Sequence, residues 1–256
     1  MNDHSVLALR EFEAKHYRLA VQFSERALAE QPEDASALEI LGLASLQLGA
    51  IEVGVDALEE LTLLRPLTDA CQIELAIAYG CLGHHRLSCD LLMGIAVSGR
   101  PSSEQLLRIA AGLEAVGQAR LAMEACRQAG VVSPECPNVH FQMGYYAQIC
   151  GRPDSMVEAL IRHAIHLDPV NLHYRIGLSS LLIRLGRKCE AITVIDHLIP
   201  DRLNEVTCEC CLKRIANLFF DCDDLDRARQ CGERLANLQT QNATSPPVAS
   251  MTSNHE

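Results

Sequence analysis

The residues of this 256-residue chain best suited to chemistry are its 12 cysteines and 10 histidines. The densest group is Cys208-Glu209-Cys210-Cys211, with Cys222 and Cys231 further on. Thiolates at that density could hold a soft metal ion or exchange electrons as a redox module. A closed zinc site usually takes two paired knuckles, and the second pair is missing here. If this stretch is helical throughout, Cys208 and Cys211 share a face while Cys210 points elsewhere. A second group, Cys81, His84, His85 and Cys89, straddles a turn and could converge on a metal. A third, His163, His166 and Asp168, falls on one helical stretch and reads as surface polar residues. There is no phosphate-cradling glycine loop, no His-Glu-x-x-His and no nucleophile elbow. Nothing sets a nucleophile beside a base. The expectation is a non-catalytic protein with no cofactor and no metal site. Most cysteines are then small buried hydrophobes, and the Cys208–Cys222 region is left as an alternative metal or redox module.

What these residues sit in is set by composition. Acidic side chains outnumber basic ones by 33 to 22, a formal net charge of −11, which argues against nucleic acid and anionic membrane as partners. Hydrophobic residues make up 48%, but aromatics only 4%, and Trp is absent. The core must therefore be aliphatic, and its Ala and Leu favour helices over sheets. The start, MNDHSVLALREFEAKHYR, has no basic region before its apolar stretch and does not read as a secretory signal. No apolar run approaches the roughly 18 residues needed to cross a bilayer. A cytoplasmic protein with reduced thiols is expected.

The chain repeats itself. Gly49, Gly83, Gly117 and Gly151 recur every 34 residues, and Gly186 follows at 35. Pro32, Pro66, Pro101, Pro134 and Pro169 mark the other end of the unit. Glycine beyond a helix end takes the left-handed conformation cheaply, and proline stops a helix from continuing. Two helical stretches of about three to four turns fill each interval. Small residues recur in the first helix (Ala8, Gly42, Ala76, Ala110, Gly144, Ser179) and in the second (Ala20, Gly54, Ser88, Ala122, Ala191, Ala228). They let two helices approach closely while Leu, Ile and Met neighbours interlock.

A 34-residue helix–turn–helix with small residues at positions 8 and 20, an apolar residue at 27 and Pro at 32 resembles the tetratricopeptide repeat. Leu7, Ala8, Ala20, Ala27 and Pro32 occupy those places in the first unit, and Leu61, Ile95, Ala129, Ala164, Leu198 and Leu235 continue position 27. The sequence departs from the pattern at position 4, where His4, Leu38, Gln72, Leu106 and His140 replace the usual aromatic. One extra residue enters near Arg152-Pro153, Pro200 comes early, and Asp223 replaces a turn glycine. The resemblance implies an all-α, right-handed α-solenoid of about seven helix hairpins. Its units lie near 1–34, 35–68, 69–102, 103–136, 137–171, 172–205 and 206–240. A final helix near 224–238 carries a polar capping surface, and residues 241–256 form a disordered tail.

In such arrays the first helices line a concave groove, which implies a protein-interaction scaffold or adaptor. By register that groove carries Leu43, Ile73, Ile77, Leu107, Glu114, Phe141, Tyr145, Gln148 and Arg184 as partner-binding candidates. Some of these side chains must instead pack against the next unit. Phe141, Tyr145 and Gln148 are the favoured anchors, since they combine ring area with hydrogen-bonding groups at helical spacing. The partner is then a peptide or helical segment of another protein. Self-association into a homo-oligomer is the alternative. Lys213 and Asn217 mimic half of a carboxylate clamp, but its other basic partners are missing.

Overall fold

The computed structural model describes residues 3–98, 101–195, 203, 206 and 208–244. Among them are fourteen α-helices and no strand. The chain divides into two compact units, Met1–Val132 and Ser133–Pro247. The first contains α1 (Asp3–Glu13), α2 (Tyr17–Glu30), α3 (Ala35–Gln47), α4 (Ile51–Leu64), α5 (Asp69–Cys81), α6 (His85–Ser98), α7 (Ser103–Ala115) and α8 (Ala119–Val132). The second contains α9 (Pro137–Ile149), α10 (Asp154–Leu167), α11 (Leu172–Arg184), α12 (Lys188–Ile195), α13 (Glu209–Asp221) and α14 (Leu225–Thr244). Consecutive helices pair into hairpins, so the fold is an all-α solenoid of helix–turn–helix repeats.

Every hairpin turn is built the same way. Gly49, Gly83, Gly117, Gly151 and Gly186 have φ between 66° and 86°, and Lys15 and Asp223 adopt φ of 60° at the same point of their own units. The left-handed residue donates to the carbonyl three residues back and its successor to the carbonyl five back, as in Gly49 to Leu46 and Ala50 to Ser45. The paired bonds satisfy helix-end carbonyls that would otherwise be orphaned. Because backbone geometry alone makes this turn, it survives where a lysine or aspartate replaces glycine. The fifth hairpin carries its extra residue after the turn: α10 starts three residues past Gly151, against two past each of the other glycines.

Most first helices are started by side-chain caps, α9 being an exception. Asp34 accepts from the amides of Ser36 and Ala37 and is itself held by the buried Ser5 hydroxyl at 2.5 Å. Thr68 caps α5, Asn171 caps α11, and Ser102 forms a reciprocal capping box with Gln105. The small residues do the packing assigned to them by spacing. Ala8, Ala20, Ala76, Ala110, Ala122 and Ala191 are fully buried. At the α3–α4 crossing a methyl on Gly42 would lie 2.6 Å from Leu58, and one on Gly54 would lie 2.5 Å from Leu46. Leucine side chains thus occupy the space that the two glycines leave open at this crossing.

The final helix departs from expectation. α14 runs to Thr244, past residue 240 where a disordered tail was expected to begin. No proline interrupts it before Pro246, Thr240 bonds back to the Asn237 carbonyl at 2.8 Å, and Gln239 reaches Glu209 on α13 at 3.3 Å. The rest of the expected tail, 245–256, lies outside the described residues, as do Leu198 and Pro200.

Candidate functional site

In the first unit, two of the groove candidates are core. Ile73 and Ile77 on α5 are 1% and 6% exposed. Gly112 on α7 is the reason for the second, since a methyl there would stand 2.6 Å from Ile77 Cγ1. The missing side chain is the recess that Ile77 fills, so the α5–α7 contact consumes residues that register alone assigns to a partner. Leu43 is half-buried against the core around Leu38, Leu58 and Leu75. Leu107 and Glu114 are half-buried on α7. Beside them Arg108 donates two bonds of 2.6 Å to the Glu74 carboxylate, a bidentate bridge between successive first helices. This pairing raises the arginine's pKa further and locks its planar fork. Groove register does not single out this pair, although the sequence carries its signal: Glu74 and Arg108 share register one repeat apart. On the neighbouring repeat, Glu39 accepts from Arg65 and from the Cys71 thiol, whose pKa burial pushes up to about 11.

In the second unit the candidates remain partly accessible. Phe141 on α9 is half-buried, with its ring 4.8 Å from His173 and 4.9 Å from Tyr174 on α11. Its edge occupies the space of a missing side chain at Gly177, where a methyl would lie 2.6 Å away. Tyr145, one turn along α9, is half-buried and packs edge-on to Tyr146 at 5.1 Å. Gln148 is exposed on the same stretch. Arg184 is exposed and donates to Asp154 at 2.8 Å. Lys213 and Asn217 are both exposed, and Lys213 lies 3.9 Å from Glu209.

The cysteine stretch folds differently from a continuous helix. Cys208 leaves the helix and becomes the N-cap of α13, accepting the Cys211 amide at 3.4 Å. That departure turns its side chain toward Cys210, with the two sulfurs 2.8 Å apart. The sulfurs of Cys208, Cys210 and Cys211 all lie within 4.8 Å of one another. The expectation that Cys210 points elsewhere is thus corrected by the cap geometry. Burial alone would raise the Cys208 pKa, but the Cys210 thiol and the helix-start amides donate to it and bring it below the ordinary thiol value. Burial pushes Cys210 and Cys211 up, and bonding to Cys208 adds to both shifts. Among the described residues this is the single group of three or more His, Cys, Asp or Glu donors close enough to share a metal ion. Cys81, His84, His85 and Cys89 do not form one. His163 instead stacks edge-on against His140 at 4.3 Å.

Tandem hairpins joined by left-handed turns, with small residues at the crossings, define the tetratricopeptide-repeat fold. No protein-family model matches the chain, and no curated protein matches it. Solved structures do. A tetratricopeptide repeat protein from Parabacteroides merdae superposes with a TM-score of 0.69 at 11% identity, covering 90% of each chain. The human IFIT1 dimer with PPP-AAAA gives 0.61 at 14% identity, over 87% of this chain and 55% of that one. MamA AMB-1 gives 0.55 at 20% identity, over 66% of this chain and all of that one. At these identities the likeness establishes the fold. Among the described residues, no helix is long and apolar enough to cross a membrane.

Proposed function

We propose that the chain is a non-catalytic interaction scaffold, and that the first-helix face of its second unit receives an extended or helical segment of a protein partner. The observation that carries this reading is Tyr145. It is only half-buried on α9, with exposed Gln148 beside it and Phe141 braced beneath by Gly177. Such an anchor offers ring area already ordered by its neighbours, so little side-chain entropy is lost on binding. Leu43, Leu107 and Glu114 extend the same kind of face on the first unit, while Arg184 offers charge once it exchanges Asp154 for a ligand carboxylate. The acidic balance favours a basic or neutral segment. Repeat folds of this kind, among them those of MamA and IFIT1, suit such a role.

A photo-crosslinking residue in place of Tyr145 should join the chain to a partner in extracts of its host. The same residue in place of Leu63, 84% exposed on the second helix α4, should not. Equal labelling at both positions would refute the assignment of the face.

A self-associating array is the second reading, favoured by Phe220 and Leu225, 65% and 60% exposed around the α13–α14 turn. Light scattering on the eluting protein separates the two: a monomer at high concentration excludes self-assembly, and a dimer dispersed by Phe220→Glu supports it.

A further inference from the structure

We propose that Cys208, Cys210 and Cys211 form a three-thiolate site for a soft monovalent cation, copper(I), at the start of α13. The argument is geometric. With a metal–sulfur bond of about 2.3 Å, a trigonal plane needs sulfurs about 4 Å apart. The three sulfurs already lie within 4.8 Å, so all three reach one ion without backbone movement. Cys208 and Cys210, now 2.8 Å apart, open by about 1 Å through side-chain rotation alone. Cys210 is exposed, which leaves the site open to an incoming ion, while Cys211 is buried and anchors its floor.

Donor count and type choose the ion. A closed zinc site takes four nitrogen or sulfur ligands, and among the described residues no histidine or carboxylate joins these three. Three thiolates with no harder donor suit a soft ion that accepts two or three ligands, which among physiological metals is copper(I). Binding exchanges the thiol protons for the cation and transfers no electrons. It leaves net negative charge on the site. That charge is placed well, because Cys208 sits at a helix N-terminus, where its sulfur already accepts the Cys211 amide at 3.4 Å. Arg214, on the following turn of α13, lies within electrostatic reach of Cys210.

The test uses the full chain, reduced with a non-thiol reductant and titrated anaerobically with copper(I) against bicinchoninate. About one copper per chain should be retained, with a near-ultraviolet thiolate-to-copper band. Loss of an outer-shell partner costs a metal site roughly 10–100-fold in affinity, and Cys210→Ser removes a direct ligand, so its loss should be at least that large. Cys208→Ser should behave likewise, and because serine is a good N-cap it keeps α13 folded. A double Cys81→Ser/Cys189→Ser variant, which removes two other exposed thiols, should retain copper fully. The proposal is overturned if the chain yields all its copper to the chelator, if Cys208→Ser and Cys210→Ser retain it as well as the unaltered chain, or if zinc(II) displaces copper(I) at equal concentration.

Discussion

Ile73 and Ile77 on α5 hold the same two repeat positions as Phe141 and Tyr145 on α9, yet the isoleucines are buried and the rings are half-open. The difference lies in the next first helix along. After α5 comes α7, whose Gly112 offers a recess at its tenth repeat position, and Ile77 fills it. After α9 comes α11, where the tenth position is Leu181, itself 2% exposed, and the glycine stands four residues earlier at Gly177. The recess has moved by one helical turn. It now receives Phe141, and Tyr145 has none. Register says which residues point between successive first helices; the position of one glycine says which of Ile77 and Tyr145 finds a recess there. A groove-facing position is therefore a property of two adjacent repeats rather than of one.

The largest expected effect separates the two regions directly. Ile77→Ala should cost about 2–5 kcal/mol in urea unfolding, whereas Tyr145→Ala should cost clearly less while abolishing crosslinking from a photo-reactive residue placed at the neighbouring exposed position of Gln148. If the two substitutions destabilise equally, the contrast between buried and open anchors fails. Next in size are the recesses themselves. Gly112→Ala and Gly177→Ala should each lose about 1–3 kcal/mol through overpacking. Phe141→Leu should recover part of the second loss but none of the first, a double-mutant coupling readable by denaturation.

An effect of about 1 kcal/mol is expected at the caps. Asp34 is held by Ser5 and two amides, and although burial works against it, these bonds bring its carboxyl below the ordinary value of 3.8. Its stabilising contribution is therefore complete above about pH 4 and fades as pH falls through the folded-state value. Asp34→Asn should flatten that acid step in a pH series of unfolding curves. The α9 cap, Cys136 followed by Pro137, bonds no amide through its side chain and should show no counterpart. Smallest are the two turns without glycine. Lys15→Gly and Asp223→Gly should each gain at most about 1 kcal/mol by relieving φ of 60°, with the larger gain at lysine because aspartate tolerates this conformation better. Thermal melting would register either gain as a rise in Tm.

Much of this was legible beforehand. The spacing of Gly49, Gly83, Gly117, Gly151 and Gly186 located the turns, and the small-residue series located the crossings, because both depend on backbone geometry that few side chains permit. The candidate face was legible only as a register. Ile77 and Phe141 look alike in a sequence, and each fills a recess left by a glycine about 35 residues away. The Cys208 cluster is hidden from sequence for a local reason: a continuous helix would include Cys208, whereas the chain starts it one residue later and uses that sulfur as a cap.

By itself, then, the sequence determined the repeat, its all-helical class and the turn that closes each hairpin, because these follow from interactions within one or two turns of chain. Only the tertiary structure decided which apolar side chains stay open, how Glu74 meets Arg108 and how three thiols converge. The first two depend on distances between atoms on different helices, which no single repeat unit encodes, and the third depends on the residue at which one helix begins.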